Sequence, residues 1–284
     1  MQILKNKVAI VTGSGSGIGK ATALEFARNG ARVVCCGRRL EPIQENVALI
    51  EKEGGQGLAI QTDITEIQQV RHMVDETEKQ LGAIEVLFNN AGSFQCVGAS
   101  WEVDPEKWWQ DVTTNLFGTM LCCHEVIPKM VERGRGFIIN MDGGGGIQGP
   151  NIGGSGYGSS KAAILRFTES LAGELERLGL PILVFAINPG FVQTDIIKRL
   201  ENVPQKEIWR SHIPKLIGSK FETKPDSCAK AVIKLLNIAS PELNGRVFRF
   251  DTDFDAIKKN KSKIKEKNLY VLNWTTLSPN ERGM

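Results

Sequence analysis

The sequence predicts an α/β chain, a doubly wound sheet of about seven parallel strands with helices on both faces. Three observations carry that expectation. Short apolar runs alternate regularly with longer amphipathic stretches. The runs are apolar continuously rather than at every second residue, as strands covered on both faces are. A glycine-rich turn follows directly on the first run. Strand, helix and strand repeated in this way wind into a parallel sheet.

The strand candidates are 8–11, 32–36, 58–61, 84–88, 136–140, 182–187 and 246–250. Between them, helices are predicted over 17–29, 41–53, 66–81, 105–132, 157–178 and 224–239. No Pro/Gly/Ser-rich linker divides the series, so residues 1–250 are expected to form one domain. Residues 196–222 interrupt the rhythm as a lid-like insertion carrying Trp209, Phe221 and two prolines. Residues 251–284 form a C-terminal extension in which Lys258, Lys259, Lys261, Lys263, Lys265 and Lys267 crowd together. Without aromatics or recognition motifs among them, these lysines read as a solvated helix face rather than an RNA site.

Composition narrows the function classes. A 41% hydrophobic and 24% charged chain of 284 residues has the makings of a full core. A net charge of +3 points to neither nucleic acid nor a membrane surface. There is no run of about 18 apolar residues to span a bilayer, and the first residues lack the pattern of a secretory leader. The expected location is cytoplasmic. Cysteines at 35, 36, 96, 122, 123 and 228 make no C-x-x-C pair, and His72, His124 and His212 are scattered. No metal site is expected, and the thiols read as buried packing residues.

The chemistry begins at Thr12-Gly13-Ser14-Gly15-Ser16-Gly17-Ile18-Gly19. Glycines let the backbone turn sharply and approach a pyrophosphate with no side chain between. The free N–H groups and positive end of the helix that follows then hold the phosphates. Gly13, Ser16, Gly17, Ile18 and Gly19 are therefore the candidate phosphate cradle. At the end of the second strand run stand Arg38 and Arg39, where an acidic residue would accept from the ribose 2′-hydroxyl of NAD. A guanidinium fork suits a 2′-phosphate instead, so NADP(H) is the preferred cofactor, with NAD(H) the alternative.

Tyr157 and Lys161 are spaced i, i+4 and share one helix face. A free phenol titrates near pH ~10. An ammonium and a positive nicotinamide ring beside it should favour the phenolate. The phenol can then exchange a proton with a carbonyl oxygen as hydride moves to or from the carbon.

Together, T-G-x-x-x-G-x-G, Asn89-Asn90-Ala91-Gly92, Asn115, Tyr157-x-x-x-Lys161 and Asn188-Pro189-Gly190 with Thr194 resemble the short-chain dehydrogenase/reductase family, over about residues 5–250. The resemblance implies a Rossmann-type sheet and carbonyl/alcohol interconversion on a small-molecule substrate. It implies a homodimer or homotetramer paired through the helices around 105–132 and 157–178. It places Asp63 and Ile64 at the adenine, Asn90, Ala91 and Gly92 along the cofactor cleft, and Pro189, Gly190 and Thr194 at the carboxamide. Asn115 inherits support of a water relay to Lys161. The family also has a serine after the fifth strand, about thirteen residues before the tyrosine. Here Gly143 or Gly144 stands there, depending on the direction of counting. Losing such a donor costs about 2.7–4 kcal/mol. Ser155, a backbone N–H or a water are the candidate substitutes, and a hydroxyl restored at 143 or 144 is expected to help. The rival class is a cofactor-binding sensor or scaffold with impaired chemistry.

Overall fold

The computed structural model describes residues 3–201, 203 and 206–273. Part of the predicted insertion (202, 204, 205) and of the extension (274–284) therefore lies outside the described residues. Seven parallel strands form one sheet in the order β3-β2-β1-β4-β5-β6-β7. In chain order they are β1 (Val8–Thr12), β2 (Arg32–Gly37), β3 (Gln56–Gln61), β4 (Ile84–Asn89), β5 (Gly136–Met141), β6 (Ile182–Asn188) and β7 (Val247–Arg249). The winding reverses between β1 and β4, and at such a point a crevice opens beyond the carboxyl ends of the strands.

Burial explains why β1 is apolar throughout. Ala9 and Val11 enter the core beneath α1 (Gly17–Arg28), α2 (Leu40–Lys52) and α10 (Pro225–Ile238). Val8 and Ile10 enter the opposite core beneath α3 (Ile67–Leu81), α5 (Gly118–Arg133) and α6 (Ser155–Arg177). Successive side chains of a strand point to opposite faces, and here both faces are dry. All six cysteines are free and buried. Burial pushes the thiols of Cys35, Cys36, Cys123 and Cys228 up to about 12, which keeps them inert.

The edges depart from expectation. β3 starts at Gln56, two residues before the predicted run, because pairing to Arg32 and Val33 extends it through polar Gln56 and Gly57. β7 has only three residues, and its outer side is covered by the extension, whose Tyr270 carbonyl accepts from Val247 N at 2.9 Å. Within the extension, α11 (Phe254–Lys259) and α12 (Lys261–Glu266) bury Phe254, Ile257 and Ile264 and leave most of the lysines to solvent.

The predicted helix 105–132 is an interrupted rod. Asp104 caps α4 (Pro105–Val112) by accepting from Glu106 N and Lys107 N. A π turn, Thr113–Phe117, then joins α4 to α5. The insertion folds into three short helices, α7 (Asp195–Leu200), α8 (Lys206–Trp209) and α9 (Ile213–Leu216), with Leu200 and Ile213 packed on Phe94. Among the described residues, no helix is long and apolar enough to cross a membrane and no group of His, Cys, Asp and Glu could hold a metal ion.

Candidate active site

Beyond the carboxyl ends of the strands lies one cleft of about 1760 Å³, with a polar half at the β1–β2–β4 ends and an apolar half under the insertion. Thr12, the last residue of β1, pins its floor. Its hydroxyl accepts from Asn90 N at 2.9 Å and Ala91 N at 3.0 Å, and Asn90 Nδ2 donates back to the Thr12 carbonyl at 2.9 Å. The loop after β4 is thereby tied to the glycine turn.

Gly13 and Gly17 take φ of +64° and +55°, a left-handed backbone that admits glycine without strain. Ser16 begins α1 in extended conformation with no side-chain cap, and the first turn holds no acidic residue. The orphan N–H groups of that turn are open to an anion. Gly13, Ser16, Gly17 and Ile18 line the cleft; Gly19 does not. A Cβ at Gly19 would collide with the Gly13 carbonyl and Asn90, so its service is close packing behind the cradle. Arg38 and Arg39 are exposed at the cleft rim, and no acidic side chain forms a salt bridge with either among the described residues. The cradle and the two free cations fit an anionic dinucleotide. Asp63, Ile64, Asn90, Ala91, Gly92, Pro189, Gly190 and Thr194 also border the cleft, as the family resemblance implies.

Tyr157 and Lys161 meet where the polar and apolar halves join. Phe94 stacks on the Tyr157 ring with centroids 4.4 Å apart and planes 10° from parallel. The Lys161 ammonium lies 5.6 Å from that ring and donates to the Met141 carbonyl at 2.9 Å. Burial pulls the lysine down to about 8, against the charge of Asp142. Burial also pushes the phenol well above its ordinary value, with the charges of Asp142 and Asp111 adding to it. The dry wall and the two carboxylates set this direction; the lowering expected from sequence counts on a positive nicotinamide ring as well as the ammonium.

Asn115 sits in the π turn and is fully buried behind the wall. Its amide donates to the Ser93 carbonyl and Ser160 Oγ, both at 2.9 Å, and its Oδ1 accepts from Ser93 N at 2.7 Å. The side chain is thus consumed in fastening the post-β4 loop to α6. A π insertion is frequent at functional positions, and nothing in the sequence signals this one.

Gly143 is the residue at the tyrosine. A Cβ there would overlap the Tyr157 hydroxyl, whereas one at Gly144 would stand 3.3 Å from Asn151 Nδ2. The strand-based count therefore gives the position facing the phenol. Ser155 does not replace the absent hydroxyl. Its Oγ accepts from Trp108 Nε1 at 3.0 Å and from Ser100 Oγ at 2.8 Å, outside the cleft lining.

Two site residues escaped the sequence reading. Asp142 is 1% exposed, accepts from Asn188 Nδ2 at 2.8 Å, and is raised above the usual carboxylate range by burial. Asn188 Oδ1 in turn accepts from Gly190 N at 3.0 Å, so Asp142 ties the glycine loop to the loop after β6. The other is Arg210, 4% exposed beneath the insertion, with its guanidinium 4.8 Å from the Phe94 ring. Neither stands in a motif, and their side-chain hydrogen bonds reach residues 46 and 58 positions away.

Comparison with known proteins agrees with this geometry. The family model for short chain dehydrogenase matches residues 7–204. An oxidoreductase of Bacillus subtilis, YxbG, is 35% identical over 205 residues, 72% of this chain and 74% of that one. The 3-oxoacyl-(acyl-carrier-protein) reductase FabG of Thermotoga maritima is 33% identical over 255 residues, 87% of this chain and 97% of that one. A solved actinorhodin polyketide ketoreductase with NADPH superposes with a TM-score of 0.75 at 29% identity, over 86% of this chain and 95% of its own. The chain belongs to the short-chain dehydrogenase/reductase family of NAD(P)-binding oxidoreductases.

Proposed function

We propose that this enzyme interconverts a carbonyl and an alcohol on a small or medium, partly apolar substrate, with NADP(H) preferred over NAD(H). The observation that carries the reading is the Tyr157 hydroxyl, set against Gly143 with the Phe94 ring on its face and the Lys161 ammonium beside it. A nicotinamide in the polar half would supply or accept the hydride. Tyr157 is held protonated, which suits donation to a carbonyl oxygen; in the reverse direction it takes the proton back. Lys161 keeps positive charge beside the phenolate that forms and has donors to spare for ribose hydroxyls. Asn115 braces the loop behind them through Ser93 and Ser160, and the family resemblance assigns it support of a water relay to Lys161.

The cradle of Gly13, Ser16, Gly17 and Ile18 would hold the pyrophosphate, Asp63 and Ile64 the adenine, and Pro189, Gly190 and Thr194 the carboxamide. Asn90, Ala91 and Gly92 would wall the ribose. Arg38 and Arg39 would pair with a 2′-phosphate through charge-assisted hydrogen bonds. In assembly we read a homodimer or homotetramer, and in location the cytoplasm.

Turnover of a ketone and aldehyde panel with NADPH tests the reading. Tyr157→Phe should lower kcat by about 10²–10⁴ while fluorescence titration finds NADPH bound as before. Undiminished turnover in that variant would remove Tyr157 as the proton donor. A second reading, a cofactor-binding sensor, draws on Gly143, where the family's hydroxyl is absent. Its mark is tight NADPH binding with no turnover on any substrate of the panel.

A further inference from the structure

Arg210 is a buried cation that the reaction described above does not use. It follows α8, lies over the Phe94 ring, and lines the apolar half of the cleft. Nη1 donates to the Ile152 carbonyl at 3.1 Å. The other edge of the guanidinium, Nε with Nη2, is out of contact with solvent and has no hydrogen-bond partner among the described residues. Burial lowers the group to about 10, so it remains a cation at neutral pH. A buried charge without a partner is costly, and an orphaned donor pair requires a reason.

The chemistry of that edge is legible elsewhere in the molecule. Arg28 grips Glu53 through Nε at 2.8 Å and Nη2 at 2.7 Å. Arg71 grips Glu125 with the same two atoms at 3.2 and 3.1 Å, and Arg249 grips Asp251 at 3.0 and 3.2 Å. In all three the Nε/Nη2 fork meets the two oxygens of one carboxylate, the planar match that favours arginine over lysine. Arg210 presents the same fork with nothing in it. Gly154 lets the backbone pack close beside Nη2, since a Cβ there would collide with that nitrogen. Phe94 links the fork to the reacting end: one ring contacts both the guanidinium at 4.8 Å and Tyr157 at 4.4 Å.

We propose that the substrate carries a carboxylate, which the Nε/Nη2 edge of Arg210 binds while its carbonyl or hydroxyl group lies at Tyr157. The inference rests on the carbonyl/alcohol reading above and narrows its substrate to oxo or hydroxy acids. The two contacts on Phe94 keep the guanidinium carbon within about 9 Å of the Tyr157 ring centroid, so the two substrate groups are separated by a few carbons. The fork is out of contact with solvent, so seating a carboxylate there requires the groups packed on it to shift.

The test pairs 4-oxopentanoate, 5-oxohexanoate and 6-oxoheptanoate with their methyl esters. Binding to the protein saturated with NADP is measured by calorimetry, and turnover is measured with NADPH and NADH. At least one acid should bind tenfold or more tighter than its ester. Arg210→Met should erase that preference with NADPH affinity intact, and Arg210→Lys should keep part of it. Acids and esters binding alike in the unaltered protein, no acid binding at millimolar concentration, or a preference that survives Arg210→Met would each overturn the proposal. The acid and ester comparison needs no variant, so it stands even if the substitutions fail to fold. Acid binding with no turnover by either cofactor would sink the carbonyl/alcohol reading and leave the carboxylate site standing. Esters turned over as readily as acids would do the reverse.

Discussion

Gly143 and Gly144 adjoin in sequence yet face different neighbours, and that difference changes what a serine would do at each. The phenol of Tyr157 occupies the space a Cβ at 143 needs, so Gly143→Ser must push the ring off its stack on Phe94. Displacing a reacting group by about 1 Å can cost as much as 10²-fold in rate. We therefore expect Gly143→Ser to lower kcat about ten- to a hundredfold, reversing the gain expected from sequence, and the forced shift should lower the thermal midpoint by a few degrees. Gly144→Ser has only Asn151 nearby and should alter kcat less than about threefold. A rise in kcat for Gly143→Ser, measured on a carbonyl substrate, would contradict this and show that the ring has a second productive seat. Lys161 sets the pH response. Burial lowers it to about 8, so in the free enzyme it is an ammonium below that pH and neutral above it. Reduction needs the charge, and kcat/KM reports groups of the free enzyme. It should be level near pH 7 and fall about tenfold per unit once pH exceeds about 8. A profile level to pH 10 would show that the charge on Lys161 is not required.

Elements were legible where a local pattern determines them. The continuous apolarity of β1, β2 and β4 to β6 follows from burial on both faces, and the glycine turn is a backbone requirement readable residue by residue. The start of β3 was hidden because sheet pairing, not side-chain burial, extends it through Gln56 and Gly57. The π turn was hidden for a tertiary reason: Thr113–Phe117 carries no Gly or Pro to mark a break, and it is Asn115 reaching Ser93 and Ser160 that holds it in register with α6. Asp142 and Arg210 were hidden because their meaning lies in what stands opposite them in space. The turn from β2 into α2 was legible, and it carries a prediction at this scale. Arg38 and Arg39 are exposed there, while Glu41, the nearest acid, lies outside the cleft lining. NADPH should bind at least tenfold tighter than NADH. Arg38→Asp should weaken NADPH at least tenfold and narrow or invert the preference, read as dissociation constants from fluorescence titration. Equal affinities in the unaltered protein would remove both arginines from cofactor choice.

Across the whole molecule, the rod of α4, π turn and α5 presents aromatic surface to solvent. Trp109 is 62% exposed and Phe117 45%. They are eight residues apart, which on a regular helix of about 100° per residue would leave them about 80° from one another. The π turn between them absorbs one extra residue, so their spacing acts like seven and brings both to one side. Single exposed apolar residues need no explanation, but aligned aromatics on a helix face mark an association surface. The family resemblance expects this rod to pair with a second copy, and we expect sedimentation velocity to find a dimer or tetramer at micromolar concentration. Trp109→Glu puts a charge in the middle of that face without touching the core, and burying it unpaired would cost several kcal/mol. The variant should sediment as monomer with unchanged circular dichroism and NADPH affinity. Its kcat should fall as well, because the π turn that seats Asn115 lies between the two aromatic contacts and would lose its outer brace. A monomer in the unaltered protein, or a Trp109→Glu variant that stays assembled, would show that these aromatics serve another contact.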